Sequence, residues 1–202
     1  MFGDPVTNPM GWEVTTLGKE LDFLTSGSRG WAKYYTEKGD IFIRIQNLKN
    51  GFLELDDVAF VDAPDSAESK RTKVEPEDVL LSITADLGRT AVVPHNIGKA
   101  HISQHLAILR LKEMNSVFVS QFLESPGGQR QFGLLNRSAV KAGLNFDDIR
   151  KVSLIKPPSL TQQRFEKIYN VVQKEKTIIS ASERQAETLF SALQQQAFQG
   201  EL

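Results

Sequence analysis

A polar, aromatic-rich loop between residues 24 and 35 carries side chains suited to binding a ligand. It combines glycines and hydroxyls with two cations and three aromatic rings. Such side chains bind phosphate oxygens and lie against sugars or bases. The residues are Thr25, Ser26, Gly27, Ser28, Arg29, Gly30, Trp31, Lys33, Tyr34 and Tyr35. The composition is equally typical of a surface loop pinned by Trp31, so the loop predicts either a ligand-binding segment or a pinned turn.

Two histidines, His101 and His105, have the four-residue spacing at which a helix can present a pair of metal ligands. The residues around them alternate between apolar and polar, which indicates a strand. In a strand, residues i and i+4 are about 13 Å apart. We therefore expect structural or surface histidines and predict no metal site.

Motifs of nucleotide hydrolysis are missing: the sequence has neither Gly-x-x-x-x-Gly-Lys-Ser/Thr nor Gly-x-Gly-x-x-Gly. Asp65, Glu68 and Lys70 resemble part of a nuclease carboxylate cluster. Two residues between the Asp and the Glu are too few for the turn that such a cluster needs. Because there is no cysteine, a thiolate nucleophile and a thiolate metal site are excluded. We expect neither catalysis nor a bound cofactor in this chain.

Alternating and apolar runs predict the sheet that positions these side chains. Strand candidates lie at 12–17, 41–48, 52–61, 79–84, 90–93, 101–111 and 152–155. Asn50-Gly51 is a hairpin-turn signal. Helical spacing predicts helices over 115–124 and 130–141, and the segment 62–77 is polar. The fold class is therefore α/β, with one mixed domain over residues 1–158.

The last stretch, 159–202, predicts a long helix. Apolar residues follow a three-then-four spacing over about four heptads, as in a helix that pairs with another helix. Polar residues 175, 182 and 196 occupy the same seam. Pro157 and Pro158 precede the helix and Gly200 ends it. The proposed seam is Phe165, Ile168, Val172, Ile179, Ala186, Leu189 and Leu193. An amphipathic helix packed on its own domain is the alternative.

Composition adds few constraints on function. The 202 residues carry 24 Lys and Arg against 25 Asp and Glu, a net charge of −1. Such a balance does not indicate nucleic-acid binding, although a local basic face is compatible with it. No apolar run is long enough for a membrane span, and no signal-peptide pattern opens the sequence. We expect a cytoplasmic protein without membrane contact.

The C-terminal stretch resembles a known family. Residues 155–168 read Ile-Lys-Pro-Pro-Ser-Leu-Thr-Gln-Gln-Arg-Phe-Glu-Lys-Ile. They are similar to the Pro-Pro-Leu-x-Glu-Gln-x-x-Ile stretch that opens the conserved helix in specificity subunits of type I restriction-modification enzymes. Residues 193–202 resemble its closing Leu-x-x-x-Ala-Phe-x-Gly-Glu-Leu. Ser159 and Gln162 depart from the family pattern.

Two further stretches extend this resemblance over the whole chain. Residues 2–9 with Gly11-Trp12 resemble a lead-in to a target recognition domain, and residues 77–82 stand where the family has Gly-Asp-Val-Leu. The resemblance implies a target recognition domain over 1–158 and a spacer and dimerisation coiled coil over 159–202. It also implies a non-catalytic subunit that reads one half of a bipartite site in double-stranded DNA. Its implied partners are adenine-methylating modification subunits, which bind S-adenosylmethionine, and an ATP-dependent restriction subunit.

One recognition domain and one helix correspond to half of a full specificity subunit. We expect either a half-sized subunit that forms a homodimer through the seam, or the C-terminal half of a longer protein. A two-fold dimer would pair identical helices antiparallel and read an inverted repeat.

Candidate DNA contacts are loop side chains with cationic or hydrogen-bonding groups. Arg can bind guanine and Asn can bind adenine through two hydrogen bonds each. The candidates are Ser26, Ser28, Arg29, Lys33, Arg44, Asn47, Arg71, Lys73, Arg89 and Lys141. The alternative function is a coiled-coil-dimerised protein-interaction module without DNA specificity. Salt-sensitive, sequence-dependent duplex binding would distinguish the two.

Overall fold

A computed structural model describes residues 1–4, 6–137 and 143–200. The described chain divides into two compact units, Met1–Gln162 and Gln163–Leu202. In chain order the elements are β1 (Glu13–Thr16), α1 (Leu17–Glu20), β2 (Leu21–Ser26), β3 (Tyr35–Thr36), β4 (Asp40–Ile43), β5 (Leu48–Lys49), β6 (Gly51–Leu53), β7 (Ala59–Val61), α2 (Ala67–Thr72), β8 (Val79–Ser82), β9 (Thr90–Val92), β10 (Ala100–Ile102), β11 (Leu106–Leu111), α3 (Ser116–Glu124), α4 (Pro126–Arg137), α5 (Phe146–Lys151), β12 (Ser153–Lys156) and α6 (Ser159–Gln199). Short 3₁₀ helices cover Trp31–Tyr34 and Ile45–Asn47.

Three sheets build the first unit. The largest has the strand order β2-β11-β8-β9-β6-β5, and a four-stranded sheet has the order β10-β4-β7-β3. Most neighbours are antiparallel, but β10 with β4 and β6 with β9 are parallel. A separate antiparallel pair joins β1 to β12. The expectation of one mixed α/β domain followed by a long helix is confirmed.

The main core lies under the largest sheet, and its centre is β8 with β11. Val79, Leu80 and Leu81 are completely buried, as are Leu106 and Ile108. Such near-continuous apolar strands are buried on both faces. A smaller cluster of Trp31, Phe42 and Val61 serves the four-stranded sheet. The two cores hold in place the strands whose ends form the candidate site.

Three strand expectations were wrong because side-chain hydrogen bonds and turns interrupt the apolar alternation. Residues 41–48 do not form one strand, since the Asn47 amide binds the backbone: Arg44 N–H donates to Asn47 Oδ1 at 2.9 Å, and Asn47 Nδ2 donates to Asp57 O at 2.9 Å. Residues 52–61 divide between β6 and β7, in different sheets. Residues 101–111 likewise divide into β10 and β11, joined by a turn at Gln104 and His105.

Other elements follow the sequence closely. Asn50 and Gly51 have φ of 51° and 93°, the left-handed pair that a two-residue hairpin requires, and β5 pairs with β6 across them. Pro126 begins α4, in keeping with the preference of proline for the first turn of a helix. This helix starts four residues before the predicted helix 130–141, and the helices α1, α2 and α5 are additions to the predicted elements. Ser66 caps α2 by accepting a hydrogen bond from Ser69 N–H at 3.1 Å.

The second unit continues α6, which has 41 residues in all. Its length is about 60 Å at 1.5 Å per residue. The large apolar residues of the predicted seam from Ile168 onward stay exposed, from 44% at Val172 to 58% at Leu189. Of the helix residues that the structure describes, Gln162 alone is fully buried. The predicted helix is confirmed, whereas its pairing stays a prediction.

Candidate nucleic-acid interface

A groove of about 460 Å³ lies where three turns of the first unit meet. One turn follows β2 and contributes Ser28 and Arg29, and the second follows β4 and contributes Arg44. The third joins β10 to β11. The complete lining is Ser28, Arg29, Gly30, Trp31, Ala32, Tyr35, Phe42, Arg44, Ile45, Gln46, Ala85, Ser103, Gln104 and His105. The groove therefore joins aromatic, cationic and hydrogen-bonding side chains from distant parts of the sequence.

The first turn is held tightly against the third. Gly27 N–H donates to Leu106 O at 3.0 Å, and a Cβ on Gly27 would collide with the Ser103 carbonyl. Only glycine permits this close approach. Gly30 has a φ of 88° and begins the 3₁₀ helix that contains Trp31. The backbone under Ser28 and Arg29 is thus fixed by packing.

Aromatic rings form one wall of the groove. Trp31 is 5% exposed and stacks at 5.2 Å from Phe42 and 5.1 Å from His101, measured between ring centroids. The half-exposed ring of Tyr35 contacts Phe42 edge-on at 5.6 Å. Trp31 therefore pins the loop, and Tyr35 is the ring that a ligand can reach. Both sequence interpretations of this loop describe part of it.

Arg71 connects α2 to the first turn. Its guanidinium donates to Ser26 O at 2.7 Å, to Ser28 Oγ at 3.3 Å and to the Thr25 hydroxyl. The structure therefore brings Ser26, Ser28 and Arg71 together, three of the predicted contacts, whose role in DNA binding stays a prediction. Most of the hydrogen-bonding capacity of Arg71 is already used within the protein, so Arg71 mainly positions the turn.

Arg44 and Asn47 have different surroundings. The Arg44 guanidinium is 3.9 Å from Asp57, and its buried Nε has no hydrogen-bond partner among the described residues. Asn47 is 2% exposed, and its amide binds the backbone of residues 44, 54 and 57. Asn47 thus holds the turn that presents Arg44, and its buried amide is not exposed to a ligand.

The remaining predicted contacts do not line the groove. Lys33 lies over the Tyr34 ring at 4.9 Å, and Lys73 follows α2, where its backbone bridges His101. Arg89 lies on the turn between β8 and β9 and forms an ion pair with Asp86. Lys141 lies outside the described residues. Of the ten predicted side chains, Ser28, Arg29 and Arg44 line the groove directly.

The third turn was missed by sequence reasoning. Ser103, Gln104 and His105 lie between Ile102 and the apolar run that begins with Leu106 and Ala107, and a polar triplet before an apolar run is a turn signal. The apparent alternation across 101–111 concealed this signal. Gln46 and Tyr35 also line the groove and had not been singled out as contacts.

One titratable group beside the groove, His101, is buried and stacked on Trp31. Burial lowers the pKa of His101, and the Asp40 carboxylate 3.2 Å away only partly opposes this shift. His101 therefore favours its neutral form and packs as part of the aromatic wall. No group of three or more potential metal ligands occurs among the residues the structure describes. Within the same residues, no helix is long and apolar enough to cross a membrane.

Comparisons with known proteins place this geometry in a family context. No family model matches the chain. It is 22% identical over 169 residues to the type I restriction enzyme EcoBI specificity subunit of Escherichia coli, a match that covers 79% of this chain and 35% of that protein.

Solved structures agree in fold. One, from work on complex assembly and conformational transition of the type I R-M system, has a TM-score of 0.65 and 21% identity over 96% of this chain. The HsdS subunit of Thermoanaerobacter tengcongensis has a TM-score of 0.57 and 22% identity over 96%. The S subunit of M. genitalium has a TM-score of 0.58 and 13% identity over 83%. These matches confirm the resemblance to type I specificity subunits and the fold that it implies.

The chain is shorter than these proteins. It spans 47%, 46% and 40% of the three matched solved chains, and about a third of the curated relative. The matched region contains one α/β domain with one long helix.

Proposed function

We propose that this chain, which shares its fold with type I specificity subunits, reads one half of a bipartite site in double-stranded DNA. The observation that carries the proposal is the groove, where three turns of a rigid scaffold collect Ser28, Arg29 and Arg44 beside an accessible Tyr35. Cations and hydroxyls contact phosphates and base edges, while the scaffold keeps them in register.

The groove side chains divide by chemistry. Arg29 is exposed at the rim and can approach a phosphate or a base. Arg44 is half-buried and preorganised, which favours a bidentate contact with guanine. Lys33, Lys73, Arg89 and Lys141 remain candidates for backbone contacts outside the groove. Affinity then depends on a local cluster of cations, which is compatible with a net charge of −1.

The exposed seam of α6 supports the second part of the proposal, a homodimer with antiparallel helices. Ile168, Val172 and Ile179 are each close to half exposed, as are Leu189 and Leu193. An apolar stripe of this length is typical of a helix that pairs with another. Two copies would place two grooves at a fixed separation and would read an inverted repeat.

The seam fits a second arrangement equally well. If the chain is one half of a longer protein, its helix pairs with that of the other half, and the two half-sites differ. In both arrangements the chain supplies specificity. Modification subunits would supply adenine methylation and a restriction subunit would supply cleavage, in the cytoplasm and without catalysis by this chain.

A map of adenine methylation tests the proposal in cells that express this chain with its neighbouring modification subunit. An inverted repeat split by a fixed gap supports both reading and the homodimer. An asymmetric split motif supports reading but assigns the second half-site to a different domain. Soluble expression without any new motif contradicts DNA reading and favours a protein-interaction module, for which the exposed apolar residues of α6 would be the contact surface.

A further inference from the structure

The floor of the groove contains buried polar atoms that the protein itself does not satisfy. Ser103 is 6% exposed, and its hydroxyl has no hydrogen-bond partner among the residues that the structure describes. Arg44 Nε is in the same situation on the facing turn. Buried polar atoms in native proteins are nearly always paired, and exceptions indicate a ligand or another special role. Of the four buried side-chain atoms without a partner among the described residues, Ser103 Oγ and Arg44 Nε belong to residues that line the groove, so these two turns offer hydrogen-bonding atoms to a ligand there.

The next residue on that turn, Gln104, has a fixed orientation. Its Nε2 is 3.0 Å from His105 Nε2, and His105 Nδ1 is 2.6 Å from Thr84 Oγ1. An amide nitrogen only donates hydrogen bonds, so the imidazole accepts at Nε2. In that tautomer Nδ1 carries the ring proton and donates to the Thr84 hydroxyl. Thr84 and His105 thus hold the Gln104 amide in one of its two orientations.

The backbone around Gln104 is equally well fixed. Ser103 N–H donates to Ile43 O at 2.9 Å, and Ile83 N–H donates to His105 O at 2.9 Å. These bonds attach the turn to both the four-stranded and the six-stranded sheet. A reading side chain must be held near its productive geometry by such a supporting shell.

Held in this way, Gln104 presents its carbonyl oxygen and one remaining N–H. That pair matches the major-groove edge of adenine, which offers N6–H as donor and N7 as acceptor. On the basis of the proposed DNA-reading function, we infer that Gln104 is a specificity-determining residue that reads one adenine through N6 and N7. His105 and Thr84 are its positioning residues.

Other amides of the domain are less suited to this role. Asn47 is buried with its amide used by the backbone. Gln46 is exposed on the facing turn, and its hydrogen bond to Asp57 is long, at 3.4 Å. Of the amides that line the groove, Gln104 is therefore the one whose donor and acceptor are preset before DNA arrives.

The test uses the chain assembled with its modification subunit and duplexes that carry the mapped motif. Every adenine of the motif except the one that is methylated is replaced in turn by 7-deazaadenine, which lacks the N7 acceptor. We expect the wild-type assembly to lose affinity roughly five- to hundredfold at one position. Gln104→Ala should bind the normal duplex more weakly by a similar factor and should no longer respond to the replacement at that position. Its responses elsewhere in the motif should be unchanged.

Variants of Thr84 test the positioning role separately. Thr84→Val removes the acceptor for His105 and should weaken the response at the same adenine only. Thr84→Ser keeps a hydroxyl and should restore it. Gln46→Ala is the matched comparison, because it removes an amide from the same groove and should leave the response at that adenine intact. The thermal midpoint of each variant shows that it is folded.

The outcomes separate this inference from the function on which it rests. A wild-type assembly without any sequence preference overturns both. A wild-type assembly that reads its motif without needing an adenine N7 overturns the role of Gln104 alone. So does a folded Gln104→Ala variant that keeps the wild-type response at every position.

Discussion

Buried polar side chains of the first unit are fully paired in some places and incompletely paired in others. Away from the groove, Glu20 binds Lys156 at 2.9 Å and Thr15 at 2.8 Å, and Asp78 binds Arg110 at 2.8 Å. At the groove, Ser103 Oγ and Arg44 Nε have no partner among the described residues. Ser69 Oγ on α2 and His101 Nδ1, in the ring stacked on Trp31, are also without a partner among these residues. The ion pairs of Glu20 and Asp78 are thus satisfied, whereas buried polar atoms at the groove and beside α2 are incompletely paired.

This difference separates groups that hold the fold from groups that await a ligand. A buried ion pair loses much of its stabilisation when one partner is removed, because the other charge stays behind. A buried atom that was never paired has no such partner to lose. Substitutions in the two regions should therefore have opposite profiles: large effects on stability in the first, and effects on DNA affinity in the second.

Replacing Asp78 with Ala should have the largest effect. The Asp78 side chain is fully buried and accepts hydrogen bonds from Arg110 and from Glu75 N–H. Removing it leaves the guanidinium without its main partner, and we expect the free energy of unfolding to fall by about 3–5 kcal/mol. Urea denaturation at pH 7 measures the loss.

Glu75→Ala is the matched control for this prediction. Glu75 also contacts Arg110, at 3.0 Å, but its side chain is 61% exposed. An exposed ion pair contributes about 0–1 kcal/mol. Equal losses for the two variants would contradict the role assigned to burial.

A smaller, pH-dependent effect is expected for Glu20→Gln. Burial raises the pKa of Glu20, but hydrogen bonds from Lys156 and Thr15 outweigh burial, and the pKa is lowered from its ordinary value of 4.5. A lowered pKa means that the carboxylate stabilises the folded state above the unfolded pKa, and that this contribution is lost as the pH falls through the folded one. We expect a loss of about 1.5–3 kcal/mol at pH 7. The gap to the wild type should close below pH 4.5.

Denaturation curves from pH 7 down to pH 3 test this prediction. The exposed pair of Asp147 and Arg150 provides the control, because Asp147→Asn removes a carboxylate that is 79% exposed. A constant gap between Glu20→Gln and the wild type at all pH values would show that the lost interaction does not depend on charge.

Short-range signals in the sequence correctly predicted the elements whose structure depends on neighbouring residues. Asn50-Gly51 gave the hairpin, and the heptad spacing with Pro158 and Gly200 gave the bounds of α6 to within a residue or two. The buried run over β8 was equally clear. These features depend on neighbours in the sequence, so the pattern alone is sufficient.

The groove depends on contacts between residues far apart in the sequence. Asn47 interrupts a predicted strand because it binds the backbone seven and ten residues away, and the turn at Gln104 is hidden in an alternating run. A parallel bridge brings together Ser28 and Ser103, which are 75 positions apart in the sequence. Single-sequence reasoning therefore found Arg29 and Arg44 by their chemistry but not the facing turn that completes the site.

Arg29→Ala tests the expectation that substitutions at the groove change DNA affinity and not stability. Arg29 is exposed, so stability should change by no more than about 0.5 kcal/mol. DNA binding should weaken. A phosphate contact predicts a uniform loss across sequences with a shallower salt dependence, and a base contact predicts relaxed specificity of roughly 1–3 kcal/mol. Titrations of matched and mismatched duplexes at several salt concentrations distinguish the two. Unchanged affinity and specificity would remove Arg29 from the interface.

No loss of stability, and thus the sharpest contrast with Asp78, is expected for Ser103→Ala. The variant removes a buried hydroxyl that has no described partner, so unfolding should cost the same or up to about 1 kcal/mol more than in the wild type. Ser120→Ala is the matched control, because the Ser120 hydroxyl is also buried but pairs with Thr90 Oγ1 at 2.8 Å, and its loss should destabilise by about 1 kcal/mol. Ser103→Ala should nevertheless bind the motif duplex more weakly. Ser103→Ala could instead destabilise the domain as much as Ser120→Ala does and leave DNA affinity unchanged. The Ser103 hydroxyl would then be a structural group like Ser120 and not a DNA contact.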